Sequence, residues 1–229
     1  MIEIKGITKT YYTGGEPLTA LNKINLRIEK GEFTSIMGPS GSGKSTMMNI
    51  LGLLDRFDAG TYFLNGQDVS NLSDNESALV RNKEIGFIFQ SFNLMPRMTI
   101  LENVELPMVY ANIPKKERRE RALKALDRVG LSDRVKHRPN EISGGQKQRV
   151  AIARAIVNQP SVLMADEPTG NLDSKTTLEI MRIFQEINAE GTTVVMVTHE
   201  PEVAEYTKRM VLFRDGEIQD DHNQTQKII

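Results

Sequence analysis

Gly38-Pro39-Ser40-Gly41-Ser42-Gly43-Lys44-Ser45 is the stretch whose reading decides the fold. It fits G-x-x-x-x-G-K-[ST] and stands between the apolar run Phe33–Met37 and a helix-forming segment over about Lys44–Leu54. Glycines let the backbone curl so that several N–H groups face one anion, and the start of the following helix adds its dipole. Lys44 is expected to neutralise β- and γ-phosphate oxygens, and Ser45, followed by Thr46, to offer its hydroxyl to Mg²⁺. Strand, loop and helix in that order predict a nucleoside-triphosphate site.

Outward from this loop, the short apolar runs Ile85–Phe89, Val162–Ala165 and Thr193–Val197 read as strands buried on both faces. Helical segments are expected between them, at about Lys115–Val129, Gln146–Val157 and Thr176–Asn188. Such alternation predicts an α/β fold around a mostly parallel sheet covered by helices. Apolar alternation at Ile2 and Ile4, and again at Ile24, Leu26 and Ile28, predicts half-buried strands near the N-terminus. Asn65-Gly66 and Asp215-Gly216 each follow an apolar run and signal hairpins. Ser73/Glu76, Thr99/Glu102 and Ser143/Gln146 have the capping-box spacing that opens a helix. Residues 92–159 are helix-rich and interrupt the alternation, so they read as a helical subdomain. The core of the domain is then about 1–91 and 160–220, with a polar tail over 221–229 expected to fray.

Lys and Arg total 29 and Asp and Glu 30, a formal charge of −1, which argues against a protein that holds nucleic acid by a strong positive field. The run Lys115-Lys116-Glu117-Arg118-Arg119-Glu120-Arg121 is mixed in sign, and Glu117–Arg121 and Glu120–Lys124 are i,i+4 pairs suited to a solvated helix face. The chain has no Cys, so disulfides, thiolate metal sites and a cysteine nucleophile are excluded. No apolar run approaches the ~18 residues that span a bilayer, and the opening MIEIKGITKTYY has no signal-like stretch. The expectation is a soluble, intracellular protein, held at a membrane only by a partner.

Two further elements carry chemistry. Ser161-Val162-Leu163-Met164-Ala165-Asp166-Glu167 is a buried strand ending in two carboxylates. Neighbouring side chains on a strand face opposite ways, so the pair suits two different jobs where the chain turns. Asp166 fits the Mg²⁺ shell, and Glu167 could orient and deprotonate the attacking water. Ile142-Ser143-Gly144-Gly145-Gln146 starts a helix with two consecutive glycines, which exposes N–H groups as a second anion site. A second anion site so far along the chain suggests two subunits closing on one nucleotide.

With these elements in this order, the chain resembles the ATP-binding subunit of an ATP-binding-cassette (ABC) transporter over essentially all of residues 2–219. The resemblance implies a P-loop NTPase of the ABC ATPase type, with a mostly parallel core sheet, an N-terminal antiparallel β part and a helical subdomain. It implies ATP and Mg²⁺ as cofactors, bound by Gly38, Pro39, Ser40, Gly41, Ser42, Gly43, Lys44, Ser45 and Thr46, and by Ser143, Gly144, Gly145 and Gln146 of a second copy. Ile142 stands where the family's LSGGQ signature has Leu. Gln90 matches the loop glutamine that touches Mg²⁺ and water, His199 the switch histidine at the γ-phosphate, and Asn171-Leu172-Asp173 the segment that meets the other subunit. Asp166 and Ser45 complete the implied metal set, and Glu167, His199, Gln90 and Lys44 the implied catalytic set. Tyr11 matches the aromatic that stacks on adenine, with Tyr12 the adjacent alternative. A lone His is more often structural, and His137 and His222 read so.

Gly38–Asn49, Phe92-Asn93-Leu94-Met95-Pro96 and Ala165–Asp173 are similar to the subgroup of macrolide-exporter (MacB-type), lipoprotein-releasing (LolD-type), peptide-resistance and cell-division (FtsE-type) ATPases. This resemblance implies a homodimer on ATP binding, a separate MacB- or FtsX-like permease, an adaptor in efflux versions, and a place on the cytoplasmic face of the membrane. The expected function is ATP hydrolysis that powers export of drugs, peptides or lipoproteins. The alternative is an FtsE-like regulator of the cell envelope that translocates nothing. A soluble ATP-driven switch on ribosomes or DNA fits less well, because those relatives carry two cassettes or a long coiled coil. Finally, Phe92–Leu101 is rich in Phe, Leu and Met, and is expected to line a groove for a short permease helix, the alternative being that these side chains pack the helical subdomain against the sheet.

Overall fold

The computed structural model describes residues 1–12 and 14–229. The N-terminal strands are β1 (Ile2–Tyr11) and β2 (Leu18–Ile28), followed by β3 (Phe33–Met37), which is buried at every position, and helix α1 (Lys44–Leu51). Next come β4 (Ala59–Leu64), β5 (Gln67–Asp68), α2 (Asp74–Glu84) and β6 (Ile85–Phe89). The helical subdomain holds α3 (Ile100–Tyr110), α4 (Lys115–Arg128), two 3-10 turns and α5 (Gly144–Ile156). The chain closes with β7 (Val162–Asp166), α6 (Ser174–Ala189), β8 (Thr193–Val197), α7 (Pro201–Ala204), β9 (Arg209–Arg214) and β10 (Glu217–Asn223).

Six strands form one sheet in the order β10-β9-β3-β8-β7-β6, parallel throughout except for the β9–β10 hairpin at its edge. The order β2-β1-β4-β5 makes a second, antiparallel sheet. Both hairpin signals hold: Asn65-Gly66 and Asp215-Gly216 all take positive φ, as a tight two-residue turn between twisted strands requires. Helix α1 lies between the sheets, where Met47, Met48, Ile50 and Leu51 pack with Ile2, Ile4 and Tyr62 of one sheet and Ile36 and Val211 of the other. Burying one such side chain contributes roughly 1.5–3 kcal/mol, so this layer fixes the helix that follows the phosphate loop. A second cluster joins α3, α4, α5 and α6 to the opposite face of the six-stranded sheet.

All three capping boxes form, at Ser73/Glu76, Thr99/Glu102 and Ser143/Gln146. The bodies of α2 and α3 carry a weaker signal, since α2 buries no residue and α3 contains Pro107. Helix α1 ends three residues before the expected Leu54. The Gly52 N–H closes on the Met48 carbonyl, the Tyr62 hydroxyl donates to the Leu51 carbonyl, and Leu53 turns to positive φ.

The tail does not fray as its polarity suggests. β10 runs through Asn223, and Asp221 accepts two 2.7 Å bonds from the Arg209 guanidinium. Gln224 Nε2 then donates to the carbonyls of Ala204 and Thr207, the Lys227 N–H donates to the Glu205 carbonyl, and Ile229 packs on the large core cluster. Polar side chains here answer carbonyls that the turn after α7 leaves open, which composition alone cannot reveal.

Candidate active site

The phosphate loop leaves the C-terminal end of β3 and enters α1 through Gly43, whose φ of 102° an L-side chain rarely adopts. A Cβ on Gly43 would stand 2.5 Å from the Ala20 carbonyl oxygen, and one on Gly38 would stand 2.1 Å from that of Phe213. Only glycine lets the loop run this close to β2 and β9. Lys44 Nζ folds back over the loop and donates to the carbonyls of Gly38 and Pro39, both at 2.7 Å. Burial lowers the Lys44 pKa below its ordinary value, and the carboxylates of Glu167 and Asp166 work against that shift. Among the described residues Ser42 Oγ is buried without a hydrogen-bond partner, so the loop offers a polar side-chain group as well as its N–H groups.

The loop forms one wall of a cavity of about 1090 Å³, which Tyr11, Ser45, Thr46, Glu167 and His199 also line. That is the size class of a nucleotide site. Glu167 takes a positive φ of 44°, with its N–H bonded to the Val197 carbonyl. This turn breaks the strand's alternation, and Glu167 reaches the cavity, where its Oε1 meets His199 Nδ1 at 2.8 Å. Asp166 stays at the end of β7, paired in register with Phe89, the residue before Gln90. Burial, and next the Glu167 charge, raise the Asp166 pKa above the ordinary carboxylate range, with Lys44 pulling it back.

Gln90 faces the turn after the acidic pair: its Nε2 lies 2.7 Å from where a Cβ on Gly170 would be, and its carbonyl accepts from Asn171 Nδ2 at 3.2 Å. Of the two tyrosines, Tyr11 lines the cavity, while Tyr12 is 80% exposed and lies outside it. The Tyr11 hydroxyl donates to Asp55 Oδ2 at 2.8 Å, and Lys9 Nζ, 4.9 Å from the ring centroid, bonds Asp55 Oδ1 at 3.0 Å. Ser143, Gly144, Gly145 and Gln146 do not line this cavity. They open α5 beside Leu172 and Thr176, with the capping box closed by Ser143 N to Gln146 Oε1 and Gln146 N to Ser143 Oγ.

A family model described as ABC transporter matches residues 21–170. The chain belongs to the ABC transporter family. It is an ATP-binding cassette, an enzyme that hydrolyses ATP, and the family works with ATP and Mg²⁺. The cassette is 60% identical over 218 residues to an uncharacterised ABC transporter ATP-binding protein of Bacillus subtilis, YknY, with 95% of each chain covered. It is 53% identical over 221 residues to the macrolide export ATP-binding/permease protein MacB of Bdellovibrio bacteriovorus, covering 96% of this chain but 34% of that one. Among solved structures, a dimeric post-hydrolysis state of the cassette MJ0796 bound to ADP and Pi superposes with a TM-score of 0.91 at 46% identity, covering 99% of this cassette and all of that chain. A second dimeric MJ0796 structure matches with the same TM-score at 47% identity.

The cassette's apolar groove is not built by Phe92–Leu101. Within that run Ile100 and Leu101 are buried, Leu94 packs on the core, and Met95 is 48% exposed. A groove of about 840 Å³ lies instead between α2 and α3, with Leu79, Phe87, Leu106 and Tyr110 on its walls and only Asn93 from the expected segment. Leu94, Ile100 and Leu101 serve the fold, and the backbone of the run is held as well: Asn103, fully buried, accepts from the Met95 N–H and donates to the carbonyls of Met95 and Thr99. Sequence reasoning missed the Asp55–Lys9 support of Tyr11, since no local spacing announces contacts across 44 or 46 positions, and missed Asn103, whose near partners are main-chain groups that no residue pattern marks.

Proposed function

We propose that two copies of this cassette sandwich ATP between the phosphate loop of one and the Ser143–Gln146 segment of the other, and drive a membrane permease that exports drugs, peptides or lipoproteins. The observation that carries this reading is the Glu167–His199 contact on the wall of the cavity that the phosphate loop forms. Glu167 takes a proton from water as its oxygen attacks the γ-phosphorus, and the bond from phosphorus to the β,γ-bridging oxygen breaks. Lys44 releases its two carbonyl contacts to meet the β- and γ-phosphates. His199 orients Glu167 through Nδ1 and keeps Nε2 for the γ-phosphate. Tyr11 offers its ring to adenine.

The residues fit Mg²⁺. Among the described residues no cluster of three or more His, Asp or Glu side chains could hold a metal. A cation held by one carboxylate, one hydroxyl and substrate phosphates is the arrangement Mg²⁺ favours. Asp166, Ser45 and Gln90 would hold it; burial, and next the Glu167 charge, raise the Asp166 pKa, a shift that a bound cation would oppose. When bound, Mg²⁺ neutralises phosphate charge.

The groove between α2 and α3 suits an apolar helix of the permease, and such docking would hold the cassette on the cytoplasmic face of the membrane. Among the described residues no helix is long and apolar enough to cross a bilayer. The MacB relatives, whose names join ATP-binding and permease parts for macrolide export, support an efflux role, which an adaptor across the membrane would complete. Reconstitution with the permease in vesicles tests the whole reading: ATP-dependent export of substrate supports it, and ATPase activity indifferent to the permease refutes it.

A further inference from the structure

Directly after Gln90 the backbone does something costly. Phe92 and Asn93 both take left-handed conformations, φ 61° and 47°. Asn tolerates that region, whereas Phe enters it only when its surroundings insist. The surroundings are on α5. Arg154 Nη2 donates to the Phe92 carbonyl at 2.8 Å and Nη1 to the Asn93 carbonyl at 2.5 Å. Both acceptors are main-chain oxygens rather than carboxylates, so this charge is spent on holding backbone. Burial lowers the Arg154 pKa from its ordinary value, which fits a guanidinium drawn out of water. Towards the start of the same helix, a Cβ on Gly144 would lie 4.0 Å from the Phe92 ring. α5 therefore holds this loop at two points ten residues apart, about 15 Å along the helix axis.

We infer that Arg154 is a positioning residue, whose two-pronged grip on Phe92 and Asn93 fixes where Gln90 stands relative to the phosphate loop. The inference rests on the reading of Gln90 given under Proposed function. The planar fork meets each carbonyl with its own nitrogen at a fixed spacing, whereas lysine must share one mobile ammonium between both. Arg154 and Asn93 also line the α2–α3 groove, so a partner seated there meets the side chain that sets the Gln90 loop.

The isolated cassette suffices for a test, with amide exchange over 90–95 and steady-state ATP hydrolysis measured on each variant. Arg154→Met should accelerate exchange in that segment by about tenfold or more while leaving the β7 amides unchanged. It should lower kcat about tenfold with KM for ATP within about twofold, since positioning acts on the reaction step. Adding Asn93→Gly should recover most of the lost kcat, because glycine takes a positive φ without strain. Should Arg154→Met not fold, Arg154→Lys with and without Asn93→Gly asks the same question. Unchanged exchange over 90–95, or a kcat loss that Asn93→Gly leaves untouched, overturns the inference. Gln90→Ala with full wild-type turnover would refute the reading of Gln90 instead, while the exchange result still judges the grip.

Discussion

His199 Nδ1 lies 2.8 Å from Glu167 Oε1 although 32 positions separate the two residues. One sits at the end of β7 and the other just beyond β8, neighbouring parallel strands of the same sheet. Parallel pairing brings both strand ends to the edge where β3 delivers the phosphate loop, the usual ligand edge of such sheets.

From this follows the first prediction. Glu167→Gln keeps shape and hydrogen-bonding reach but removes the base, so turnover should fall roughly 10²- to 10⁴-fold. ATP binding should survive, and the variant should elute as an ATP-trapped dimer in size-exclusion chromatography. His199→Ala, which removes the orienting partner and the γ-phosphate contact but leaves the base, should lose less than Glu167→Gln. Retention of more than about a tenth of wild-type turnover in Glu167→Gln, a barrier change under ~1.4 kcal/mol, would rule out Glu167 as the base.

A shared site makes a second prediction. The Ser143–Gln146 segment stands outside its own chain's cavity, so a lone copy lacks one half of the sandwich. Activity per subunit should rise with protein concentration, and Ser143→Arg should abolish ATP-induced dimers. Ser143→Ala is the control: it loses the helix cap, about 1 kcal/mol, but adds no bulk, and dimers should persist. Full activity per subunit at high dilution would defeat the shared site.

Asp55 supports a third. Burial raises its carboxyl, yet bonds from Lys9 and Tyr11 outweigh that effect and hold its pKa below the ordinary value. A carboxyl lowered in the folded state stabilises above its unfolded pKa, and that stability is lost as pH falls through the folded one. Asp55→Asn should therefore show a lower thermal midpoint than wild type near neutral pH, and the gap should close in acid. Affinity for ATP should weaken by a few-fold, about one neutral hydrogen bond's worth, as the Tyr11 ring loosens. Equal midpoints at neutral pH would show that Asp55 does not hold Tyr11.

Local chemistry made much of this molecule readable. The phosphate loop, three capping boxes, two hairpins and four largely buried strands each declare themselves within about eight residues, through periodicity, turn residues or a fixed motif. What stayed hidden depends on partners far along the chain, or on nearby main-chain groups that no residue pattern marks. The apolar run at 92–101 reads as a surface because spacing cannot show that Asn103 folds it onto α3. The groove is assembled from α2, β6 and α3, whose residues share no local pattern. Tail residues 224–229 look solvated because their acceptors, the carbonyls of 204–208, carry no side-chain signature.

That tail gives a fourth prediction. Deleting 224–229 removes the Gln224 and Lys227 bonds to the segment after α7, and the Gln185 bond to the Lys227 carbonyl. With net values of about 0.5–1.5 kcal/mol per bond, urea unfolding should show a loss on the order of 2 kcal/mol. An unchanged midpoint would mean that these bonds merely replace equivalent ones to water.

The fifth prediction concerns the groove, and the absence of native Cys makes it direct. Leu79 and Tyr110 are both 68% exposed although large and apolar, and both line the groove between α2 and α3. Side chains of that kind gathered in one concavity mark an interface more often than chance exposure. Leu79→Cys and Tyr110→Cys should react readily with a maleimide in the isolated cassette. In membranes carrying the permease their labelling should slow by about tenfold or more, the fraction left free by a docked partner setting the rate. Met108→Cys, fully buried on the same helix as Tyr110, should stay unreactive in both settings and reports any unfolding. Met95→Cys lies on the loop outside the groove wall, so it should label equally with and without the permease. Protection at Met95 with free labelling at Leu79 and Tyr110 would return the docking surface to the 92–101 loop and overturn its assignment to the groove.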